Sequence, residues 1–108
     1  MLAEAGARVV IADPQPYKGQ ALAAELDASF VRCDLSQEAE GHTAMAEALA
    51  LGKPCGLIYC AGNAPAVKTV GKDGAHPLDS FGRTILVNLI GSFNMILLAA
   101  QAMCKNEI

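Results

Sequence analysis

Gly6-Ala7-Arg8-Val9-Val10-Ile11-Ala12-Asp13 decides how the rest of the chain is read. Gly6 suits the left-handed residue that closes a helix, which makes Met1 to Ala5 the end of one. Val9, Val10 and Ile11 form a continuous β-branched run, the pattern of a parallel strand buried on both faces. Asp13 then stands at the C-terminal tip of that strand. In open α/β sheets this is the edge where ligands bind.

The same alternation continues downstream. Pro14 and Pro16 favour a turn and a helix start. Leu22 and Leu26, four residues apart among alanines, predict an amphipathic helix over Tyr17 to Leu26. Ser29 to Cys33 reads as a second strand, ending at Asp34. Ser36 is a candidate N-cap for a helix with Glu38 and Glu40 in its first turn. That helix runs through Met45 and Leu49 and closes at Gly52. Gly56 to Cys60 reads as a third strand, ending at Ala61-Gly62. An irregular stretch follows to Pro77, with Gly71-Lys72-Asp73-Gly74 as its most flexible part. Asp79 or Ser80 is the predicted cap of a long last helix, with Phe81, Ile85, Leu89, Phe93 and Ile96 along one side. Strands alternating with helices imply right-handed crossovers and a parallel sheet.

Composition narrows the function classes. The 108 residues are 53% hydrophobic and 18% charged, which suits one globular domain or part of one. A net charge of −3, with no Lys/Arg cluster, argues against a phosphate-backbone partner, so no nucleic acid is expected. Cys33, Cys55, Cys60 and Cys104 contain no Cys-x-x-Cys pair, and His42 and His76 are not at ligand spacing to them. They read as reduced, mostly buried thiols, with no metal. Met1-Leu2-Ala3-Glu4 lacks the basic and apolar regions of a signal peptide, so a cytoplasmic or mitochondrial-matrix setting is expected. Thr84 to Met103 is long and apolar but carries Asn88, Ser92, Asn94 and Gln101. It reads as a buried interface helix rather than a membrane span.

Because parallel strands share a direction, Asp13, Asp34-Leu35 and Cys60-Ala61-Gly62 should fall on one edge of the sheet. Asp13 would accept hydrogen bonds from ribose hydroxyls. Asp34 would accept from the adenine amino group, with Leu35 packing on the ring. Ala61 and Gly62 lack bulk, so a ligand can approach the backbone closely. The competing reading makes Asp13 and Asp34 ordinary turn and capping residues.

Four stretches carry a family resemblance: Ala5 to Asp13, Cys33-Asp34-Leu35-Ser36, Tyr59-Cys60-Ala61-Gly62, and Val87-Asn88-Leu89-Ile90-Gly91-Ser92-Phe93. Together they resemble the middle of a short-chain dehydrogenase/reductase. The family's third motif is usually Asn-Asn-Ala-Gly or Asn-Cys-Ala-Gly, and Tyr59 departs from it. The Cys60 variant, Lys68-Thr69 and the Gly71 to Pro77 insertion resemble the type 2 3-hydroxyacyl-CoA dehydrogenase branch.

The resemblance implies an incomplete Rossmann-like α/β domain over residues 1–108, a doubly wound parallel sheet. Its first strand with the glycine loop, and its C-terminal half, would lie outside these residues. It implies an NAD-dependent enzyme oxidising a secondary alcohol to a ketone, with 3-hydroxyacyl-CoA as a candidate substrate. Asp13, Asp34, Leu35, Cys60, Ala61 and Gly62 would line the adenosine half of NAD. Asn88 would match the catalytic asparagine that interrupts its helix and holds a water leading to the catalytic lysine. The last helix, Ser80 to Met103, would pack against a second copy in a homo-oligomer, and Gly91, Ser92, Ala99 and Ala100 suit close helix packing.

Neither Tyr17 nor Tyr59 has a lysine at the fourth following position, so these residues alone are expected to be inactive. His76 reads as a solvated loop residue, and Asn88 has a rival reading as a core asparagine bonded to a neighbouring carbonyl. The functional alternative is a non-catalytic nucleotide-binding or interaction module on the same fold. A receiver-like domain would leave Asn88 and Ala61-Gly62 unexplained.

Overall fold

The computed structural model describes residues 1–107. Strand β1 (Val10–Asp13) pairs in parallel with β2 (Ser29–Arg32), Val10 opposite Ser29 and Asp13 opposite Arg32. Helix α1 (Pro16–Leu26) connects them, and α2 (Glu38–Leu51) follows β2. A two-residue antiparallel hairpin, β3 (Val70–Gly71) and β4 (Gly74–Ala75), precedes α3 (Leu78–Ile85). A π turn, Leu86–Ile90, joins α3 to α4 (Gly91–Met103). Helices α1 and α2 both pack on the strands and do not touch each other, so they cover opposite faces of the sheet.

The opening segment follows the sequence reading. A single turn over Met1–Ala5 closes at Gly6, whose φ is +89°. Pro16 is the first residue of α1, and Asp27 closes that helix in a left-handed conformation, its N–H on the Ala23 carbonyl.

Several expectations are corrected. Gly56 to Cys60 is not a strand. In a doubly wound sheet this segment stands one strand position away from β1. No described segment fills that position, so its backbone has no ladder partner. Residues of β1 are half-buried rather than fully buried, since one neighbour covers only one edge. Ser36 does not cap α2; Gln37 occupies the cap position, and Ser36 turns back to Asp34. Neither Asp79 nor Ser80 caps α3, which starts after Pro77 with no side-chain cap. The Gly71–Gly74 stretch forms the hairpin turn.

The helix faces also differ from their periodicity. The sequence places Leu22 and Leu26 inward in α1, yet Gly19 and Ala23 are the buried pair and Leu22 is 45% exposed. In α2 the buried residues are Gly41 and Ala44, and Leu49 is exposed. Close approach explains both. A Cβ on Gly19 would overlap the Phe30 ring, and one on Gly41 would lie 2.6 Å from Asn94 Nδ2. Small residues therefore face the contact. The core is correspondingly small: Ala23, Cys33, Ala44, Met95, Leu98, Ala99 and Ala102.

Helices α3, the π turn and α4 form one 26-residue run, Leu78–Met103, long and apolar enough to cross a membrane by length and composition. Its large apolar stripe points outward, with Phe81, Leu89, Phe93 and Ile96 all more than half exposed. Gly91 and Ala99 are buried within the chain. The molecule is extended, at 54 × 30 × 22 Å, and its radius of gyration of 16.5 Å exceeds the ~13 Å of a compact domain of this length.

Cys33 is buried, but Cys55, Cys60 and Cys104 are exposed, against the expectation of mostly buried thiols; all four are free. No described element covers the segment around Cys55 and Cys60. Among the described residues no group of three His, Cys, Asp or Glu side chains could hold a metal.

Two outcomes test this packing. Gly82 lies in α3 with nothing within 4 Å of an added Cβ. Gly82→Ala should stabilise the chain by about 0.5–1 kcal/mol through helix propensity. Gly19→Ala should instead destabilise it by about 1–3 kcal/mol, because the Phe30 ring must move. Urea unfolding of both variants measures the two signs. Alkylation read by mass spectrometry gives the second test: iodoacetamide near pH 8 should add three groups to the folded chain and a fourth, on Cys33, only in denaturant.

Candidate functional site

The β1 and β2 tips open into a cleft of about 270 Å³. Asp13, Pro14, Gln15, Asp34, Leu35, Ser36, Tyr59, Cys60, Ala61, Gly62, Arg83 and Val87 line it. All six residues read as an adenosine edge are therefore in one place. The cause is the shared strand direction, continued one residue further by the Cys33 N–H on the Asp13 carbonyl at 3.1 Å.

Each aspartate is half committed to its turn. The Gln15 N–H donates to Asp13 Oδ1 at 2.7 Å. Ser36 donates twice to Asp34 Oδ1, from its N–H at 3.1 Å and from its hydroxyl at 2.6 Å. These are the turn bonds that Asp commonly makes after a strand. The other oxygen of each carboxylate accepts no hydrogen bond among the described residues. The guanidinium Nη2 of Arg83 stands 3.8 Å from Asp34 Oδ2. Ser36 holds the Asp34 carboxyl below its ordinary pKa, against the opposing effect of burial, and the Arg83 and Arg32 charges assist. Beneath it the Cys33 thiol donates to the Glu40 carbonyl at 3.1 Å. Burial, with Glu40 and Asp34 nearby, pushes that thiol up to about 11, so it stays protonated and inert at neutral pH.

The far wall is built around the π turn. Asn88 sits at its centre and is exposed, so the rival reading fails on burial, but its side chain does bond a neighbouring carbonyl as that reading has it. Its side-chain amide is a two-point clamp. Oδ1 accepts from the Asn63 N–H at 2.8 Å, and Nδ2 donates to the Asn63 carbonyl at 2.7 Å. The clamp ties the Ala61-Gly62-Asn63 backbone to the helix. Gly62 is needed there, since an added Cβ would stand 3.3 Å from Asn88 Oδ1. A π turn leaves carbonyls without their usual helical partners. Two side chains meet them: the Tyr59 hydroxyl donates to Val87 at 3.0 Å, and the Ser92 hydroxyl to Asn88 at 2.5 Å. Burial raises the Tyr59 pKa. Gly91 makes room for Tyr59, whose hydroxyl would be 2.7 Å from a Cβ at that position.

Arg83, Gln15 and Asn63 belong to this site and are not marked by the motifs. Arg83 carried a faint signal, standing four residues before Val87 and therefore on the same helix face. Tyr59 was visible only as a departure from the family motif. Gln15 and Asn63 act through backbone groups, which no side-chain pattern announces.

A family model described as "Enoyl-(Acyl carrier protein) reductase" matches residues 1–107. The chain belongs to the short-chain dehydrogenase/reductase family, and its fold is the Rossmann-like α/β fold, incomplete over these residues. Among its relatives it is 40% identical to the 3-hydroxyacyl-CoA dehydrogenase type-2 of Drosophila melanogaster, over 98% of this chain and 44% of that protein. Its identity to the Bos taurus protein of that name is 38%, over 94% of this chain and 41% of the relative. The solved structure of 3-hydroxyacyl-CoA dehydrogenase type-2 from Mycobacterium avium superposes with a TM-score of 0.78 at 31% identity, covering 98% of this chain and 43% of that one. The chain thus spans about two-fifths of the length of the relatives it matches.

The Asp34 network gives a pH prediction. A carboxyl whose folded pKa is depressed adds stability that is present above its unfolded value, about 3.9, and is lost as pH falls through the folded value. Asp34→Asn should therefore lower the melting temperature at pH 7, and the gap to the parent chain should close below about pH 4. A gap constant from pH 7 to pH 2.5 in calorimetry would sink the assignment.

Proposed function

We propose that these residues form the adenosine side of an NAD site in a dehydrogenase that oxidises a secondary alcohol to a ketone, with 3-hydroxyacyl-CoA as substrate. The observation that carries this reading is the pair of aspartates lining the same cleft at adjacent strand tips, each with one carboxylate oxygen that accepts no hydrogen bond among the described residues. Hydroxyl and amine donors suit such acceptors, and adenosine offers both. Ala61 and Gly62, without side-chain bulk on the cleft wall, fit a ligand that approaches the backbone. The residues present thus fit the adenosine half of the cofactor. When bound, the nicotinamide cofactor accepts the hydride.

The work of this chain's own residues is positional. Asp13 holds a ribose and repels a 2′-phosphate. Asp34 and Leu35 receive the base, and Cys60, Ala61 and Gly62 form the floor. Asn88 fixes that floor to the helix through Asn63 and, on this reading, holds a water for the proton path. No tyrosine here has a lysine at the fourth following position, so the proton donor comes from elsewhere in the enzyme. The outward stripe of Leu89, Phe93 and Ile96 is the face a second copy would cover in a homo-oligomer.

A chimera tests the cofactor assignment. Residues 1–107 replace the matching stretch of the Drosophila relative, and a melting curve confirms that the product folds. NAD should bind about ten to a hundred times more tightly than NADP, because Asp13 offers charged hydrogen bonds to one and repulsion to the other. Asp13→Ala should shrink that ratio toward one. Equal affinities in the unmutated chimera overturn the reading.

A further inference from the structure

Residues 55–63 carry the cleft floor, yet among the described residues no backbone–backbone hydrogen bond holds any of them. Side chains hold the segment instead. Ahead of it the Asn106 amide donates to the Pro54 carbonyl at 2.7 Å. Within it the Tyr59 hydroxyl donates to the Val87 carbonyl at 3.0 Å, and the Asn88 amide grips both backbone groups of Asn63. Cys60, Ala61 and Gly62 lie between these last two attachments, and all three line the cleft.

Burial alternates along the approach: Leu57 and Tyr59 are half-buried, Ile58 and Cys60 exposed. That is the period of an extended chain, so Tyr59 faces the helix and Cys60 the open side. The Tyr59 bond is provided for at its far end. The Gly91 N–H goes to the Leu86 carbonyl, five residues back, so the Val87 carbonyl lacks its α-helical donor. Gly91 also carries no Cβ, which would stand 2.7 Å from the Tyr59 hydroxyl oxygen.

We propose that Tyr59 is a positioning residue for the ligand: its hydroxyl on the freed Val87 carbonyl, together with the Asn88 clamp, fixes both ends of Cys60-Ala61-Gly62 and so sets the floor against which adenosine lies. This rests on the adenosine reading above. A floor fixed at both ends loses little further freedom when a ligand settles on it. A floor fixed at one end must be ordered first, and that cost weakens binding.

The test titrates the 108-residue chain with adenosine, following the Ala61 and Gly62 amide resonances. Hydrogen exchange is read in parallel at the Asn63 N–H and at the amides of the β1–β2 ladder. Tyr59→Phe keeps the ring and removes only the hydroxyl. It should weaken adenosine binding about fivefold and speed exchange at Asn63 by a similar factor, as loss of one hydrogen bond does. The ladder amides should keep their rates, because the opening is local. Gly91→Ala keeps the hydroxyl but displaces it from Val87, and should act in the same direction; it decides in place of Tyr59→Phe if that variant does not fold. Unchanged affinity overturns the role of Tyr59 and leaves the adenosine reading standing. Equal speeding at Asn63 and at the ladder overturns it too, since Tyr59 would then support the whole fold rather than the floor. No adenosine binding by the unmutated chain overturns the adenosine reading, and this proposal with it.

Discussion

Two parallel strands have no choice about where their carboxyl ends lie: both ends lie together. In this chain each strand ends on an aspartate side of the sheet, Asp13 closing β1 and Asp34 two residues beyond β2. The register Asp13 opposite Arg32 and the bond from Cys33 N–H to Asp13 carbonyl bring the two carboxylates to one rim. The cleft, its acidic lining and the approach of the Cys60-Ala61-Gly62 backbone all follow from that alignment. A one-residue slip of β2 would turn its side chains to the other face and dismantle the rim.

The rim also shows how a chain settles its exposed backbone groups and makes a site by the same act. Each strand end must turn, and each turn leaves N–H groups to satisfy. Asp13 and Asp34 give one oxygen to that task and keep the other. Turn residue and ligand residue are thus compatible roles of one carboxylate. The π turn repeats the economy. Its irregular backbone frees carbonyls, and Tyr59 and Ser92 hydroxyls answer them, while the Asn88 amide is released to grip Asn63.

How much of this was legible depends on the range of the forces involved. The β-branched run ending at Asp13, the β1-α1-β2-α2 alternation, the closures at Gly6 and Gly52, and the gathering of the six cleft residues are written locally and could be read. Gly56 to Cys60 has strand composition, but strand structure also needs a neighbour, which composition cannot supply. The buried face of α1 was misread, and that of α2 went unread, because periodicity weights large apolar residues. Phe30 against Gly19, and Asn94 against Gly41, set a helix approach so close that only small residues fit. Arg83 carried no more than its faint helix-face signal for a different reason: its partner Asp34 is 49 residues away, and only the fold brings them together.

The same packing gives the long apolar run two kinds of surface. A helix surrounded by lipid is apolar on every face and meets other helices through small residues. Leu78–Met103 has two unlike faces. Its inner face carries Asn94, Met95 and Leu98 against Gly41 of α2, with the polar Asn94 amide buried at the contact, and Gly91 against Tyr59 and Leu35. Its outer face carries Leu89, Phe93 and Ile96, large, exposed and aligned. A helix fixed along one side to α2, and tied at its π turn to the Asn63 loop, leaves that outer face uncovered among the described residues.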